Sequence, residues 1–299
     1  MSKSYEVIVR ERMLKKYPEH LMGGTFRDKS YSHIFKELKD NFIDGEYPIE
    51  KCIKGNLTED KIKYHYAEHL NSSQTMCIAY FKKFFESEEY EYLLIKILTM
   101  RGIDVSGANK FSDAVFEYIP YAKEGTNFDF YLKLDNGKQI TWEIKFTEKA
   151  FGGTTKGIES DKYIRKYKEV YIPMLRKCAY YDFPDVDCDD YQCLKTGTLT
   201  DNCCVSDKCS INEFYKYYQI RRNILYAEKE GDYVLFLTPR ENEELSEGRA
   251  YIDHYANKWR TDCICNIYWE DLLETTLSVV SSMPELYEYY VKFEEKYFK

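Results

Sequence analysis

The stretch FDFYLKLDNGKQITWEIKF, residues 128–146, predicts two β-strands joined by a tight turn. Residues 128–134 are rich in aromatic and aliphatic side chains, and residues 138–146 alternate apolar with polar ones. Asp135-Asn136-Gly137 lies between them and is a strong turn signal. The sequence therefore predicts a β-hairpin within a larger sheet.

Three charged side chains of this hairpin can converge. Glu143 and Lys145 share the strand face opposite Trp142, because side chains alternate along a strand. Pairing through the turn can bring the Asp129 carboxylate beside Glu143. Two like charges at short range require a cation, and carboxylate oxygens suit Mg²⁺ or Mn²⁺. The carbonyl of Ile144 could add a metal ligand and Lys145 could orient an attacking water, as metal-assisted phosphodiester hydrolysis requires.

A solvated strand face is the alternative interpretation, since antiparallel sheets often expose one side on which opposite charges pair. The wider sequence favours the catalytic interpretation. The hairpin resembles the PD-(D/E)xK nuclease superfamily, with Asp129 as the aspartate, Glu143 as the second acid and Lys145 as the lysine. One departure is that Asn127-Phe128, rather than proline, precedes Asp129.

A more specific resemblance covers roughly residues 65–290. Four blocks together are similar to a bacterial family of restriction endonucleases: His69-Leu70-Asn71-Ser72-Ser73-Gln74, Glu124-Gly125-Thr126-Asn127-Phe128-Asp129-Phe130, Trp142-Glu143-Ile144-Lys145-Phe146-Thr147-Glu148 and Tyr218-Gln219-Ile220-Arg221-Arg222-Asn223. Several blocks match by chance far more rarely than one short motif. The resemblance implies a Mg²⁺-dependent DNA endonuclease.

The predicted elements favour an α/β (α+β) fold in which helices flank a mixed central sheet, the αβββαβ plan of restriction-endonuclease-like cores. We expect residues 1–65 to form a helical or irregular extension packed on the core. Residues 66–299 then form the nuclease-like domain, with a Cys- and Asp-rich insertion at 177–210. Predicted helices include 88–100, 160–176 and 212–228, and predicted strands include 114–119, 232–239 and 263–269.

Two further acids are candidate metal ligands. Glu117 lies in the predicted strand before the hairpin, where it could reach the site or face water. Glu91 shares a helical stripe with Leu94, Ile95 and Leu98, and a carboxylate on such a stripe needs a partner. The resemblance implies that an acid from this first core helix can join the metal site, although a position at the rim of the helix is the common alternative.

Other polar residues are candidates for contacts with DNA. Residues 145–177 hold nine Lys or Arg against four acids, and within them Lys162, Arg165 and Lys166 could follow the phosphate backbone or form a solvated helix face. Gln219 resembles a glutamine that superfamily members place beside the metal site, and Arg222 lies on the same predicted helix. Such amides often only satisfy backbone groups.

Six of the ten cysteines lie between residues 178 and 209. Their density suggests Zn²⁺ or an iron–sulfur cluster, as some superfamily nucleases carry, bound by Cys188, Cys193, Cys204 and Cys209. No Cys-x₂-Cys pair supports this, so an irregular insertion with free thiols remains the alternative.

Composition limits the class of protein. The chain has 299 residues, 44% of them hydrophobic, which is enough for a proper core. A net charge of −8 argues against indiscriminate phosphate binding, so contacts with DNA must be local. The sequence shows no secretion signal and no membrane-span window, and we expect a cytoplasmic protein that binds no membrane.

Three functions remain open. The leading hypothesis is a restriction-type endonuclease, a metal-dependent phosphodiester hydrolase, and symmetric cutting of two strands would favour a homodimer. A repair or recombination nuclease of the same fold, exonuclease or resolvase-like, would instead act on DNA ends or junctions. A non-catalytic nucleic-acid-binding module on an inactive nuclease scaffold would bind without cutting.

Overall fold

A computed structural model describes residues 3–45, 66–153, 161–180 and 211–299. The helices of these ranges are α1 (Tyr5–Leu14), α2 (Ser73–Phe81), α3 (Glu88–Met100), α4 (Asp161–Lys166), α5 (Ile172–Leu175), α6 (Ile211–Lys216), α7 (Tyr218–Ile224), α8 (Ser246–Trp259), α9 (Trp269–Val279) and α10 (Pro284–Tyr297). The strands are β1 (Thr25–Phe26), β2 (Lys29–Ser30), β3 (Phe111–Tyr118), β4 (Phe128–Leu134), β5 (Gln139–Ile144), β6 (Tyr233–Thr238) and β7 (Ile264–Tyr268).

Five strands form the central sheet in the order β3-β4-β5-β6-β7. The strands β3, β4 and β5 pair antiparallel as a meander, whereas β6 and β7 add in parallel. Helices pack on both faces of this mixed sheet, which confirms the predicted fold class and the αβββαβ plan. The strand β6 is buried along its whole length, as expected of a strand covered on both faces.

Two hydrophobic cores lie on opposite faces of the sheet. One contains Phe130 and Trp142 with side chains of α2, α3, α9 and α10. The other contains Phe236 with side chains of α4 to α8. Because side chains alternate along β5, Trp142 packs in the first core and Glu143 lies on the opposite face of the sheet. Glu143 pairs there with Phe236 of β6.

The N-terminal helix α1 belongs to the first core. Val9 and Met13 are fully buried in it. The Arg12 guanidinium donates to the backbone carbonyl of Tyr297 at 2.6 Å, at the end of α10. These contacts join α1 to α10 and to the first core.

The predicted helix 160–176 is interrupted in the structure. The helix α4 continues as a π-helical turn over Tyr167–Tyr171 before α5 begins at Ile172. Pro173 accounts for the change, because proline has no amide hydrogen and its ring clashes with the carbonyl four residues earlier.

The predicted helix 212–228 is also divided, into α6 and α7, with the break at Tyr217. Gly152 and Gly153 of the segment after β5 cause the break. The Gln219 amide donates to the Gly152 carbonyl at 2.8 Å instead of continuing the helix. A Cβ on Gly153 would lie 2.1 Å from the Lys216 carbonyl oxygen, so the two backbones are in close contact.

Candidate active site

Three acidic residues lie in one row across the sheet. Phe116 pairs with Phe130, and Phe130 pairs with Trp142. In antiparallel strands the neighbouring positions then also face each other, so Glu117 and Glu143 flank Asp129 on either side. The row lies at the end of the sheet where β3 and β5 end and β4 begins.

Asp129 occupies the middle of this row and is half-buried. Its Oδ2 accepts a hydrogen bond of 2.6 Å from the Ile144 amide, and no described residue donates to its other oxygen. Burial raises the pKa of Asp129 well above its usual range, and the carboxylates of Glu143 and Glu117 raise it further. Lys145 only partly opposes this shift, so the group carries an excess of negative charge.

Glu143 has 2% of its surface exposed and is held by three donors. Its Oε1 accepts from Lys145 Nζ at 2.7 Å and from Gln219 Nε2 at 2.5 Å. Its Oε2 accepts from Asn223 Nδ2 at 2.9 Å. Gln219 and Asn223 lie four residues apart on α7, so one helix face clamps both carboxylate oxygens.

Lys145 is buried, and hydrogen bonds hold both its backbone amide and its backbone carbonyl. Its backbone amide donates to the Leu237 carbonyl at 2.9 Å, and its carbonyl accepts from Trp269 Nε1 at 3.3 Å. Burial by itself lowers the pKa of Lys145, but the carboxylates of Glu143, Glu148 and Asp129 outweigh it and raise the pKa. Lys145 therefore keeps its proton at neutral pH and donates to Glu143 as a positively charged group.

Glu117 is 4% exposed and has a left-handed backbone with φ +52°. Such a conformation is uncommon for a non-glycine residue and indicates that the surroundings hold it in place. Gln74 Nε2 donates to Glu117 Oε1 at 2.5 Å, and Asn127 Nδ2 donates to Glu117 Oε2. Gln74 belongs to α2, so helices from both faces of the sheet reach the row.

Three amide oxygens around the row are buried and have no hydrogen-bond partner among the described residues: Gln74 Oε1, Asn127 Oδ1 and Asn223 Oδ1. Each amide donates its NH₂ group to a carboxylate, which only accepts, so the amide orientation is determined by the acid. A buried acceptor without a donor costs about 1–3 kcal/mol. With three such oxygens beside three acids, hydrogen-bond acceptors outnumber donors around the row, and a bound cation or water could interact with the surplus acceptors.

The side chains of the row suit a hard divalent cation, because all three offer oxygen ligands. The raised pKa of Asp129 agrees with this, since it reflects carboxylates crowded together without enough positive charge. Within the described ranges, however, no three His, Cys, Asp or Glu side chains are gathered closely enough to hold a metal ion. Glu143 is engaged by Lys145 and α7, and Glu117 by its two amides. Metal ligation would require these side chains to exchange partners.

The other residues predicted from the sequence to bind metal or DNA differ in how close they lie to the row. Glu91 lies apart from the row, because its Oε2 accepts from the Phe111 amide at the far end of β3, six residues before Glu117. Ile144 contacts Asp129 through its amide, and its carbonyl stays a candidate ligand only. Lys162 and Arg165 are exposed on α4.

Lys166 and Arg222 lie closer to the acids. Lys166 Nζ donates to the Glu124 carbonyl at 2.8 Å. Arg222 is half-buried with its guanidinium 5.1 Å from the Tyr218 ring, and no described residue accepts a hydrogen bond from its Nε. Burial lowers the pKa of Arg222, but Glu124, Tyr218 and Glu143 outweigh it and raise the pKa. Arg222 is thus a cation placed between two acids.

The four candidate cysteine ligands, Cys188, Cys193, Cys204 and Cys209, lie outside the described residues, as does most of the 177–210 insertion. Cys178 is described and buried, and its Sγ contacts the Ile224 carbonyl at 3.3 Å. Cys77 is buried beside the row, and burial, together with Asp129, Glu117 and Glu143, raises its pKa well above the usual value. Both are unreactive thiols in this environment.

A scan against protein-family models matches residues 10–298 to the family described as restriction endonuclease associating with ARP. The chain belongs to this family. The resemblance drawn from the sequence is thereby confirmed at the level of a restriction-endonuclease-like protein. A search of the curated proteins found no match, and neither did a search of the solved structures.

Sequence reasoning missed several polar residues around the row of this restriction-endonuclease-like protein. Asn223 was not assigned a role, although its spacing of four from Gln219 on a helix could have indicated a shared carboxylate. Glu124 was also missed. Its carboxylate is 2% exposed and accepts from Tyr171 OH at 2.9 Å and from Tyr226 OH at 2.8 Å, across 47 and 102 residues of sequence. No local pattern predicts such distant partners.

Among the helices of the described residues, none has both the length and the apolar character needed to cross a bilayer.

Proposed function

We propose that this chain is a Mg²⁺- or Mn²⁺-dependent DNA endonuclease of restriction type that hydrolyses phosphodiester bonds. The observation that carries the proposal is the row of Glu117, Asp129 and Glu143 with the Lys145 ammonium against Glu143 at 2.7 Å. Membership of a restriction-endonuclease family gives DNA as the substrate class. A solvated surface pair is a poor account of the row, because Glu143 and Lys145 are both buried.

Asp129 and Glu143 would hold the metal ion, with the Ile144 carbonyl and Glu117 as further candidate ligands. When bound, the ion neutralises carboxylate repulsion, polarises the phosphate and acidifies a bound water. The raised pKa of Asp129 supports this assignment, since the row is short of positive charge. The amide oxygen of Gln74 lies beside Glu117, has no donor within the described ranges, and is a further acceptor at this place.

Lys145 would orient the attacking water and stabilise negative charge on the phosphate. It retains its proton at Nζ, because three carboxylates raise its pKa, so it donates a hydrogen bond and does not abstract a proton. Gln219 and Asn223 fix the carboxylate of Glu143 from α7. Such fixed side chains place the reacting groups in advance, which is the main contribution of a protein to phosphodiester cleavage.

Arg222 is the described cation best placed to receive a phosphate of the substrate. It is half-buried, lies near Glu143, and its Nε donates to none of the residues that the structure describes. Lys162, Arg165 and Lys166 of α4 would bind phosphates further along the strand. The proposal includes a homodimer, because two copies related by a twofold axis can cut both strands.

The test is cleavage of closed circular DNA, both methylated and unmethylated, with Mg²⁺ or EDTA. We expect cutting by the wild type only with metal, and none by Asp129→Ala or Lys145→Ala. The matched controls are Asp253→Ala and Lys258→Ala on the exposed face of α8, which should cut normally.

Three outcomes would contradict the proposal. Cutting in EDTA would exclude the role of the metal ion. Cleavage of linear DNA but not of circles would favour an exonuclease. Binding of DNA in a gel-shift assay without any cutting by the wild type would favour a non-catalytic module.

A further inference from the structure

A cavity of about 250 Å³ lies on the sheet beside the acidic row. Its walls include Tyr118, Phe128, Tyr131, Thr141 and Tyr226. Thr141 is two residues before Glu143 and on the same face of β5, a separation of about 7 Å along a strand. Phe128 is adjacent to Asp129 in sequence. A group in this cavity would therefore lie next to the proposed cutting site.

Aromatic rings form two walls of the cavity. Tyr118 stacks on Tyr131 with ring centres 4.3 Å apart, and Phe128 meets the Tyr226 ring edge-on at 5.2 Å. Regular alternation along β3 would put Tyr118 on the opposite face from Tyr131. The left-handed backbone of Glu117 interrupts this alternation and allows Tyr118 to reach the cavity. The left-handed backbone at Glu117 thus places both the Glu117 carboxylate in the row and the Tyr118 ring in the wall of the cavity.

A hydrogen-bond donor and a hydrogen-bond acceptor lie beside the aromatic rings. Tyr131 OH donates to Gln139 Oε1 at 2.6 Å, and no described residue accepts from the Gln139 NH₂ group. Asp232 is 5% exposed, and its carboxylate accepts from the backbone amide of Lys229 at 3.2 Å and from the backbone amide of Gln139. The cavity thus offers an amide donor and a carboxylate acceptor next to stacking surfaces.

The charge of the cavity decides which part of a nucleic acid it suits. Glu228 and Asp232 carry two negative charges against the single positive charge of Lys229. A phosphate would be repelled there, whereas a neutral heterocycle with a donor and an acceptor on its edge would be accepted. Its volume accommodates one planar base and no base pair.

We propose that this cavity binds a single nucleobase turned out of the DNA next to the bond to be cut. The inference rests on the proposed nuclease function, because it names the part of the substrate that this site receives. Enzymes that extrude a base read its edge by hydrogen bonds and stack it on aromatic side chains. Tyr118 and Tyr131 would stack with the base, and Gln139 and Asp232 would contact its edge.

The test measures binding of the four deoxynucleosides and of deoxyribose 5-phosphate to the full chain by saturation-transfer NMR, without metal. We expect at least one nucleoside to bind and the sugar phosphate not to bind. Tyr131→Leu should weaken nucleoside binding by about tenfold, the effect of losing one stacking ring, whereas Tyr131→Phe should retain it. Tyr118→Leu repeats the test at a half-buried position.

The inference is overturned if no nucleoside binds the folded wild type, or if both Leu variants bind as tightly as the wild type. Equal binding of deoxyribose 5-phosphate would also overturn it, since the cavity would then recognise phosphate. Cleavage of circular DNA is measured separately. A protein that binds nucleosides without cutting supports the cavity and refutes the nuclease, whereas one that cuts without binding nucleosides refutes the cavity alone.

Discussion

Replacing Asn223 by Asp or Ala tests whether α7 controls the charge balance of the acidic row. Asn223 is fully buried and donates to Glu143 Oε2 at 2.9 Å. Asn223→Ala removes a hydrogen bond to a charged group, worth about 1.5–3 kcal/mol. Asn223→Asp instead puts a second carboxylate against Glu143. Two unit charges about 4 Å apart repel by about 4 kcal/mol at an effective dielectric constant of about 20.

We expect Asn223→Asp to lower the free energy of unfolding by at least about 4 kcal/mol, and Asn223→Ala by about 2 kcal/mol. Urea unfolding at pH 7.5 in EDTA measures both values. Protonation of the introduced carboxylate relieves the repulsion, so lowering the pH to 5.5 should reduce the excess cost by up to about 2.7 kcal/mol. Added Mg²⁺ should stabilise the Asp variant more than the wild type, because it supplies the missing cation.

Asn257, exposed on α8, gives the matched control. Asn257→Asp and Asn257→Ala should each change stability by less than about 0.5 kcal/mol. If Asn223→Asp proved as stable as Asn223→Ala in EDTA, or if its stability did not depend on pH, the assigned contact between Asn223 and Glu143 would be wrong.

Three further predictions concern other parts of the molecule. Lys145→Met should abolish cutting and destabilise the fold by about 3 kcal/mol in urea unfolding, because Glu143 loses its buried cation. Gly153→Ala should cost more than about 2 kcal/mol and reduce cutting, because its Cβ would lie 2.1 Å from the Lys216 carbonyl oxygen and displace α6 and α7. Burial lowers the pKa of Lys296 to about 7, so its contribution to the free energy of unfolding should rise from about pH 7 to about pH 10, and the stability of the wild type relative to Lys296→Met should rise by the same amount.

Controls separate these effects from general damage. Gly152→Ala places its Cβ 3.4 Å from Gln219 Oε1, an ordinary contact, and should be milder than Gly153→Ala. Lys258→Met removes an exposed lysine and should leave the pH dependence unchanged. Equal stability of the two glycine variants would contradict the close contact at Lys216, and a Lys296→Met protein with the wild-type pH profile would place the titrating group elsewhere.

The sequence predicted the sheet well, because its strands carry local signals. The hairpin of β4 and β5 follows from alternating side chains and the Asp-Asn-Gly turn, and the continuous apolar run of β6 predicts a buried strand. The helix α3 has the predicted bounds, with Ser87 capping its first turn through the Tyr90 amide at 3.2 Å. Local capping and periodicity determine such an element.

Elements shaped by distant contacts were predicted less well. The break between α6 and α7 depends on Gly152, 67 residues before Gln219 in sequence. The π-helical turn before α5 had a local signal in Pro173, but its effect on the helix was not inferred. Periodicity describes a helix in isolation, and both interruptions arise where the backbone cannot keep its regular hydrogen bonds.

The candidate site also combines features that local sequence predicts with features that depend on distant contacts. The approach of Asp129 and Glu143 follows from the register of one hairpin, which the turn determines. The position of Glu117 depends on a left-handed residue that is not glycine, and no composition rule indicates that conformation. The hydrogen bonds of Gln74 and Asn223 require two helices to dock on opposite faces of the sheet, which is tertiary information.

The hydrogen bond between Glu143 and Asn223 joins residues 80 positions apart, and this has a consequence for synthesis in the cell. A growing chain contains Asp129, Glu143 and Lys145 well before α7 has left the ribosome. Contacts across such long loops form late in folding, since loop closure must precede them. An unfinished chain therefore lacks the ordered row, so the nuclease activity proposed for this chain should arise only after most of the protein has folded.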